Sequence, residues 1–179
     1  SFDCSQIESL SGGTVVNAVP SEVSAVLKGN FELPERDGIE RRFENGKTVI
    51  LCKGKSAHAY TPEHGINAFT KLFEYLLKAD IGGTDRSMLE SLLGLFPDGE
   101  TNAKSLGLDV TDESGGTTCV FSVLEYKDGK LCCKADMRFP VSLTKAEAEK
   151  KIGEAAERKG LKLISAAGSE PHRADTNRD

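Results

Sequence analysis

Three polar side chains stand at positions in this chain where a polar residue needs a reason. Asn17 interrupts the apolar run VVNAVPSE. His58 sits between two alanines in GKSAHAYTPEHG. Arg138 ends the run KADMRFP, two residues before Pro140. A histidine kept for packing usually has large neighbours. One carried on small-residue backbone is offered to something outside its own domain, where an imidazole can bind a metal, move a proton or donate a hydrogen bond. Each of the three also has a plain structural reading. Asn17 reads as a strand or turn amide satisfied locally, His58 as a surface histidine, and Arg138 as the partner of Asp136 or a snorkelling side chain.

Several chemistries fit poorly. Cys52, His58 and His64 are evenly spaced, but a zinc site needs ligands converging at ~2.0–2.3 Å, usually from tight pairs. His64 also falls in an expected first helical turn. A Ser-His-Asp or Cys-His pair has no nucleophile elbow to support it. SGGT, at Ser11–Thr14 and again at Ser114–Thr117, lacks the spacing of a phosphate cradle and leads into a strand rather than a helix. A flexible turn is the better reading.

Composition narrows the classes further. The chain has 179 residues, enough for one ordinary domain or two small units sharing a core, and 38% of them are hydrophobic, with no Trp and 8 Phe. The net charge is −5 and the pI is near 5.3, with acidic and basic residues interspersed. Nucleic-acid binding needs a concentrated basic face, so no nucleic-acid partner is expected. The five cysteines are odd in number and include no CxxC, which fits a reduced, cytoplasmic compartment. Cys132 and Cys133 are expected on opposite faces of a strand. No apolar run approaches the roughly 18 residues of a membrane span, so no membrane partner is expected. The chain opens SFDCSQ and closes on the polar PHRADTNRD; both ends read as cut from something longer.

The elements that must position these residues follow from pattern. Thr14 to Gly29 reads as two extended runs around Pro20. Asn45-Gly46 lies between the β-like runs 39–44 and 47–52, and Asp128-Gly129 between 117–127 and 130–139, both strong hairpin signals. Pro62 is expected to open a helix whose apolar face is Ile66, Phe69, Leu72, Phe73, Leu76 and Leu77. Met88 to Phe96 predicts a second helix, and 97–116 a loop. Thr144 and Glu147 form a capping box for a third helix, stopped by Gly160, and 161–166 is expected as a last strand. The mix predicts an α+β fold, a two-layer sandwich of antiparallel sheet and helices, ferredoxin-like. SGGT recurs at an offset of 103 and Gly54…His58 is echoed by Gly168…His172, suggesting two pseudo-symmetric halves, 7–82 and 83–172, that join edge to edge and so hide sheet edges.

Taken in order, SGGTVVNAVPSE, GKSAHAYTPEHGINAF and ADMRFP resemble the zinc-dependent aminoacylase/carboxypeptidase/dipeptidase superfamily, with the PepV-like dipeptidases as the nearest branch. The likeness covers roughly residues 7–172, and GKSAHA-x-TPE-x-G-x-NA is its most specific part. These enzymes have a catalytic domain carrying two zinc ions and an inserted lid, or dimerisation domain. The chain resembles the lid alone. The family's H-x-D motif and Glu-Glu pair are both absent.

The resemblance therefore implies one lid domain, residues 1–179, from a longer two-domain enzyme. Its partners would be the catalytic domain of the same polypeptide, holding two zinc ions, and a dipeptide. The parent would be a cytoplasmic, monomeric zinc dipeptidase. This chain would hold no metal, would be inactive alone, and could self-associate artificially once isolated. The resemblance gives His58 the task of stabilising the oxyanion of amide hydrolysis, with Asn17 assisting, and gives Arg138 the substrate C-terminal carboxylate. Donors placed where that charge develops can contribute about 3–4 kcal/mol, and a guanidinium fits a carboxylate as a fork. The other class of reading is a stand-alone α+β module that binds a ligand or a second copy without catalysis.

Overall fold

The structure is a computed structural model that describes residues 2–168 and 171. The strands are β1 (Ile7–Gly12), β2 (Glu22–Lys28), β3 (Ile39–Glu44), β4 (Lys47–Lys53), β5 (Thr111–Asp112), β6 (Gly115–Gly116), β7 (Thr118–Lys127) and β8 (Lys130–Arg138). The helices are α1 (Ala68–Leu76), α2 (Gly83–Leu95) and α3 (Lys145–Arg158). Six strands form one antiparallel sheet in the order β3-β4-β2-β1-β7-β8, and β5 and β6 form a separate small hairpin. This is the α+β sandwich of helices on an antiparallel sheet that the sequence pattern predicts. The segments 7–82 and 83–168 meet where β1 pairs with β7, Leu10 opposite Tyr126. The first supplies four strands of the large sheet and the second two.

Alternation decides which face the helices cover. In β2 and β4 every second residue is buried: Val23, Ala25 and Leu27, then Thr48, Ile50 and Cys52. Over them lie Phe69, Leu72, Phe73 and Leu76 of α1 and Met88, Leu89 and Leu92 of α2. Ala148 and Ala155 of α3 pack with Leu106, Leu108, Cys119 and Leu143 in a second cluster. Both hairpins turn as expected. Asn45 and Gly46 (φ 51° and 72°) and Asp128 and Gly129 (φ 50° and 75°) are left-handed, the geometry that two-residue hairpins need. Cys132 is exposed while Cys133 packs on the core.

Several boundaries differ from expectation: α2 starts at Gly83 rather than Met88, β5 and β6 pair within the expected loop 97–116, and two further differences have a clear local reason. Pro62–His64 forms only a short 3-10 turn, and the helix starts at Ala68. Asn67 sets that start. Its side chain accepts from the Phe69 N–H at 3.0 Å and donates to the Phe121 carbonyl at 2.7 Å, capping α1 and bolting it to β7. Ile66 is left exposed. At the other end, the segment 161–166 joins no ladder. Gly160 (φ 73°) and Leu161 instead close α3, their N–H groups reaching Glu157 at 3.0 Å and Ala156 at 2.9 Å. That is a Schellman cap; the apolar residue read as a strand start is spent on ending the helix.

The α3 capping box forms in both directions, Glu147 N–H to the Thr144 hydroxyl and Thr144 N–H to the Glu147 carboxylate. The Thr144 hydroxyl, donating to the Glu147 carboxylate at 2.7 Å, and the Thr144 N–H hold that carboxyl below its ordinary range. The internal echoes fare unevenly. The first SGGT ends β1, whereas the second runs through β6 and stops just short of β7, and His172 lies outside the described residues.

One buried charge holds the start of the sheet to α2. Asp85 is 1% exposed and accepts the main-chain N–H groups of Ser5 at 2.8 Å, Gln6 at 2.9 Å, and Ile7. Gln6 adds two bonds, to Gly82 N–H and the Asp80 carbonyl. Asp85→Ala would leave three inward-facing donors without an acceptor. The expected loss is about 3 kcal/mol, which lowers Tm by roughly 6–12 °C in a chain of this size. Thermal unfolding followed by circular dichroism checks it; an unchanged Tm would mean that the clasp contributes nothing.

Candidate functional site

The loop that carries His58 is closed at its neck. Lys55 and Ile66 exchange main-chain hydrogen bonds, both at 2.9 Å. The two flanking glycines make this approach possible. A Cβ on Gly54 would lie 2.1 Å from the Ile66 carbonyl oxygen, and one on Gly65 would lie 2.9 Å from that of Lys55. Within the loop, residues 57–59 pair with 17–19. Val19 N–H reaches the Ala57 carbonyl at 2.8 Å and Ala59 N–H reaches the Asn17 carbonyl at 3.0 Å. Ala59 is buried with Val19 and Val120, so its small size seats the loop on the sheet.

That seat is on the face turned away from the helices. Cys119 and Phe121 of β7 belong to the helix-covered clusters, so Val120 between them points the other way. Val120 pairs with Asp136 and Thr118 with Arg138, which puts Thr118, Asp136 and Arg138 on the same open face beneath the His58 loop.

There the side chains meet. The imidazole of His58 stacks on the ring of Tyr60, centroids 5.4 Å apart and planes within 15°. The Arg138 guanidinium lies over the Tyr60 ring, 3.9 Å from its centroid. The Tyr60 N–H donates to His58 Nδ1 at 3.2 Å. With Nδ1 accepting, the proton of the neutral ring sits on Nε2 and makes it a donor. Arg138 Nε faces Asp136 Oδ2 at 3.4 Å, so the plain pairing with Asp136 also exists. The terminal nitrogens Nη1 and Nη2 have no hydrogen bond to any described residue.

Unmet polar groups collect here. Four buried side-chain nitrogen or oxygen atoms among the described residues have no hydrogen-bond partner, and three of them are Thr118 Oγ1, Asp136 Oδ2 and Arg138 Nε. Buried polar atoms are normally satisfied; Asp136 Oδ2 and Arg138 Nε face each other at 3.4 Å as an ion pair, which leaves Thr118 Oγ1 as the one of the three without a polar partner among the described residues.

Asn17 lies elsewhere than expected. It occupies a turn instead of the interior of a strand, because β1 and β2 pair directly, Gly12 opposite Val23. The chain between them must reverse. Asn17 is exposed, its carbonyl ties it to the His58 loop, and its carboxamide bonds no described residue. Around it Val15, Val16, Tyr60 and Ile66 are all at least 40% exposed.

No three His, Cys, Asp or Glu side chains come together among the described residues to hold a metal ion. Cys52 is fully buried on the helix side, whereas His58 is exposed on the other face. Burial pushes the Cys52 thiol up to about 11 and that of Cys119, beside the site on the helix face, up to about 12, so neither offers a thiolate nucleophile. No described helix is long and apolar enough to cross a membrane. Sequence reasoning missed Tyr60 and Thr118. An aromatic two residues beyond His58 in a short loop was a usable signal for the first; Thr118 had none.

No protein-family model matches the chain. The chain is similar to Putative dipeptidase YtjP of Bacillus subtilis (strain 168), 31% identical over 135 residues, which covers 68% of this chain and 29% of that protein. The chain thus spans less than a third of the length of the curated relative it matches.

Proposed function

We propose that this chain is the lid of a zinc-dependent dipeptidase of the PepV-like branch, closing over a catalytic domain carried by the same polypeptide. The observation that carries the reading is the meeting of His58 and Arg138 on one open face, each with its donor end unused. The 31% identity to a protein named as a dipeptidase supports the relationship to peptidases. The exposed apolar residues around His58 fit a surface that another domain covers when the lid closes. The described residues offer no ligand set for zinc, and in this reading the two ions belong to the catalytic domain.

In that arrangement His58 Nε2–H donates to the carbonyl oxygen of the scissile amide as negative charge builds on it, and a donor aimed there counts most in a water-excluded site. The Asn17 carboxamide adds a second donor. Arg138 turns Nη1 and Nη2 to the C-terminal carboxylate and fixes the substrate's register. The complete protein bearing this chain is expected to hydrolyse dipeptides, to lose that activity on chelation and to regain it with zinc, while the chain alone stays inactive. A complete, zinc-loaded protein that cleaves no dipeptide would overturn the reading.

A further inference from the structure

We propose that Tyr60 is a positioning residue that holds the oxyanion donor His58 and the carboxylate anchor Arg138 at a fixed separation; the proposal rests on the lid reading above. Its ring contacts both groups, the imidazole at 5.4 Å between centroids and the guanidinium at 3.9 Å. The imidazole therefore lies no further from the guanidinium carbon than those two distances together, about 9 Å. A free arginine side chain samples many rotamers and loses that freedom each time it binds a ligand. Here its flat face is held by the ring and its Nε edge faces Asp136 at 3.4 Å, which leaves the two terminal nitrogens free for a carboxylate.

The ring has no visible structural task to explain its presence. Tyr60 is 65% exposed, and its hydroxyl makes no hydrogen bond to a described residue. The π face is what is used, as cation–π and stacking contacts require. Its main-chain N–H sets the His58 tautomer whatever the side chain is, so substitution tests the stack alone.

The test compares wild type, Tyr60→Leu and Tyr60→Phe. By NMR on this chain, the Tyr60→Leu change is expected to move the His58 ring protons and the Arg138 Nε–H away from their ring-shifted positions, and Tyr60→Phe to keep them. In the complete protein, Tyr60→Leu is expected to lower kcat/KM for a dipeptide roughly 5- to 10-fold, through both a higher KM and a lower kcat, with Tyr60→Phe restoring most of it. Unmoved resonances in the leucine variant, or a kcat/KM equal to wild type, overturns the proposal. If the wild-type complete protein cleaves no dipeptide, the lid reading fails and the catalytic role of Tyr60 with it. The NMR comparison still reports whether the stack exists, so the two failures are distinguishable.

Discussion

His58→Ala in the complete protein is expected to lower kcat for dipeptide hydrolysis about 10²–10³-fold, equivalent to about 3–4 kcal/mol, with zinc content unchanged. The size follows from what is lost. Nε2–H is a donor fixed in place, because Nδ1 is already engaged by the Tyr60 N–H at 3.2 Å and the loop neck is closed by paired main-chain bonds. Such a group contributes to the transition state without reorganising at the moment of reaction. Its removal should touch KM little, since the ground-state carbonyl carries less charge than the oxyanion. Folding should survive, because His58 is exposed and the loop is held by Gly54, Gly65 and Ala59. Stopped assays of dipeptide cleavage, with metal analysis of the same samples, check both halves. An unchanged kcat removes His58 from the chemistry.

Much of this fold was legible in the sequence because its signals are local. Asn45-Gly46 and Asp128-Gly129 specify their turns through left-handed φ angles, and Thr144 with Glu147 specifies a helix start through bonds three residues apart. What failed depended on partners distant in sequence. A last strand is expected over 161–166, but a strand also needs a neighbouring edge, and the helix cap claims Leu161 first. The start of α1 was misplaced because Asn67, bonded to Phe121 across 54 positions, decides it.

The site was legible to the same extent. Asn17, His58 and Arg138 stand out in the sequence by their odd settings and their order along the chain, and the fold brings their segments to one face. Their stacking through Tyr60 was not legible. Counting outward from the Asp128-Gly129 turn pairs Arg138 with Cys119, which would carry Cys119 out of the helix-side core. The irregularity between Phe121 and Val123 shifts the register by one and pairs Arg138 with Thr118 instead. A one-residue slip reverses every β7 side chain beyond it, so the bulge is what puts Thr118 and Val120 on the open face with Arg138, whose own side follows from β8, where Leu131, Cys133 and Met137 pack towards the helices.

Arg138→Ala is expected to have the other large effect, lowering kcat/KM for a dipeptide on the order of 10²-fold and acting mainly through KM. Arg138 is the cation that the fold sets beside His58, with both terminal nitrogens unpaired among the described residues. Truncation removes the only fork in the stack, and Tyr60 and Asp136 have no means of holding an anion in its place. The loss should vanish for a substrate that lacks the carboxylate, which separates recognition from damage to the fold. The most direct measurement is therefore kcat/KM for one dipeptide and for its C-terminal amide, in the complete zinc-loaded protein, wild type and Arg138→Ala side by side. The expected result is a strong wild-type preference for the free acid that disappears in the variant. A variant that keeps the full preference for the free acid would contradict the assignment of Arg138 and, with it, the lid's part in holding the substrate.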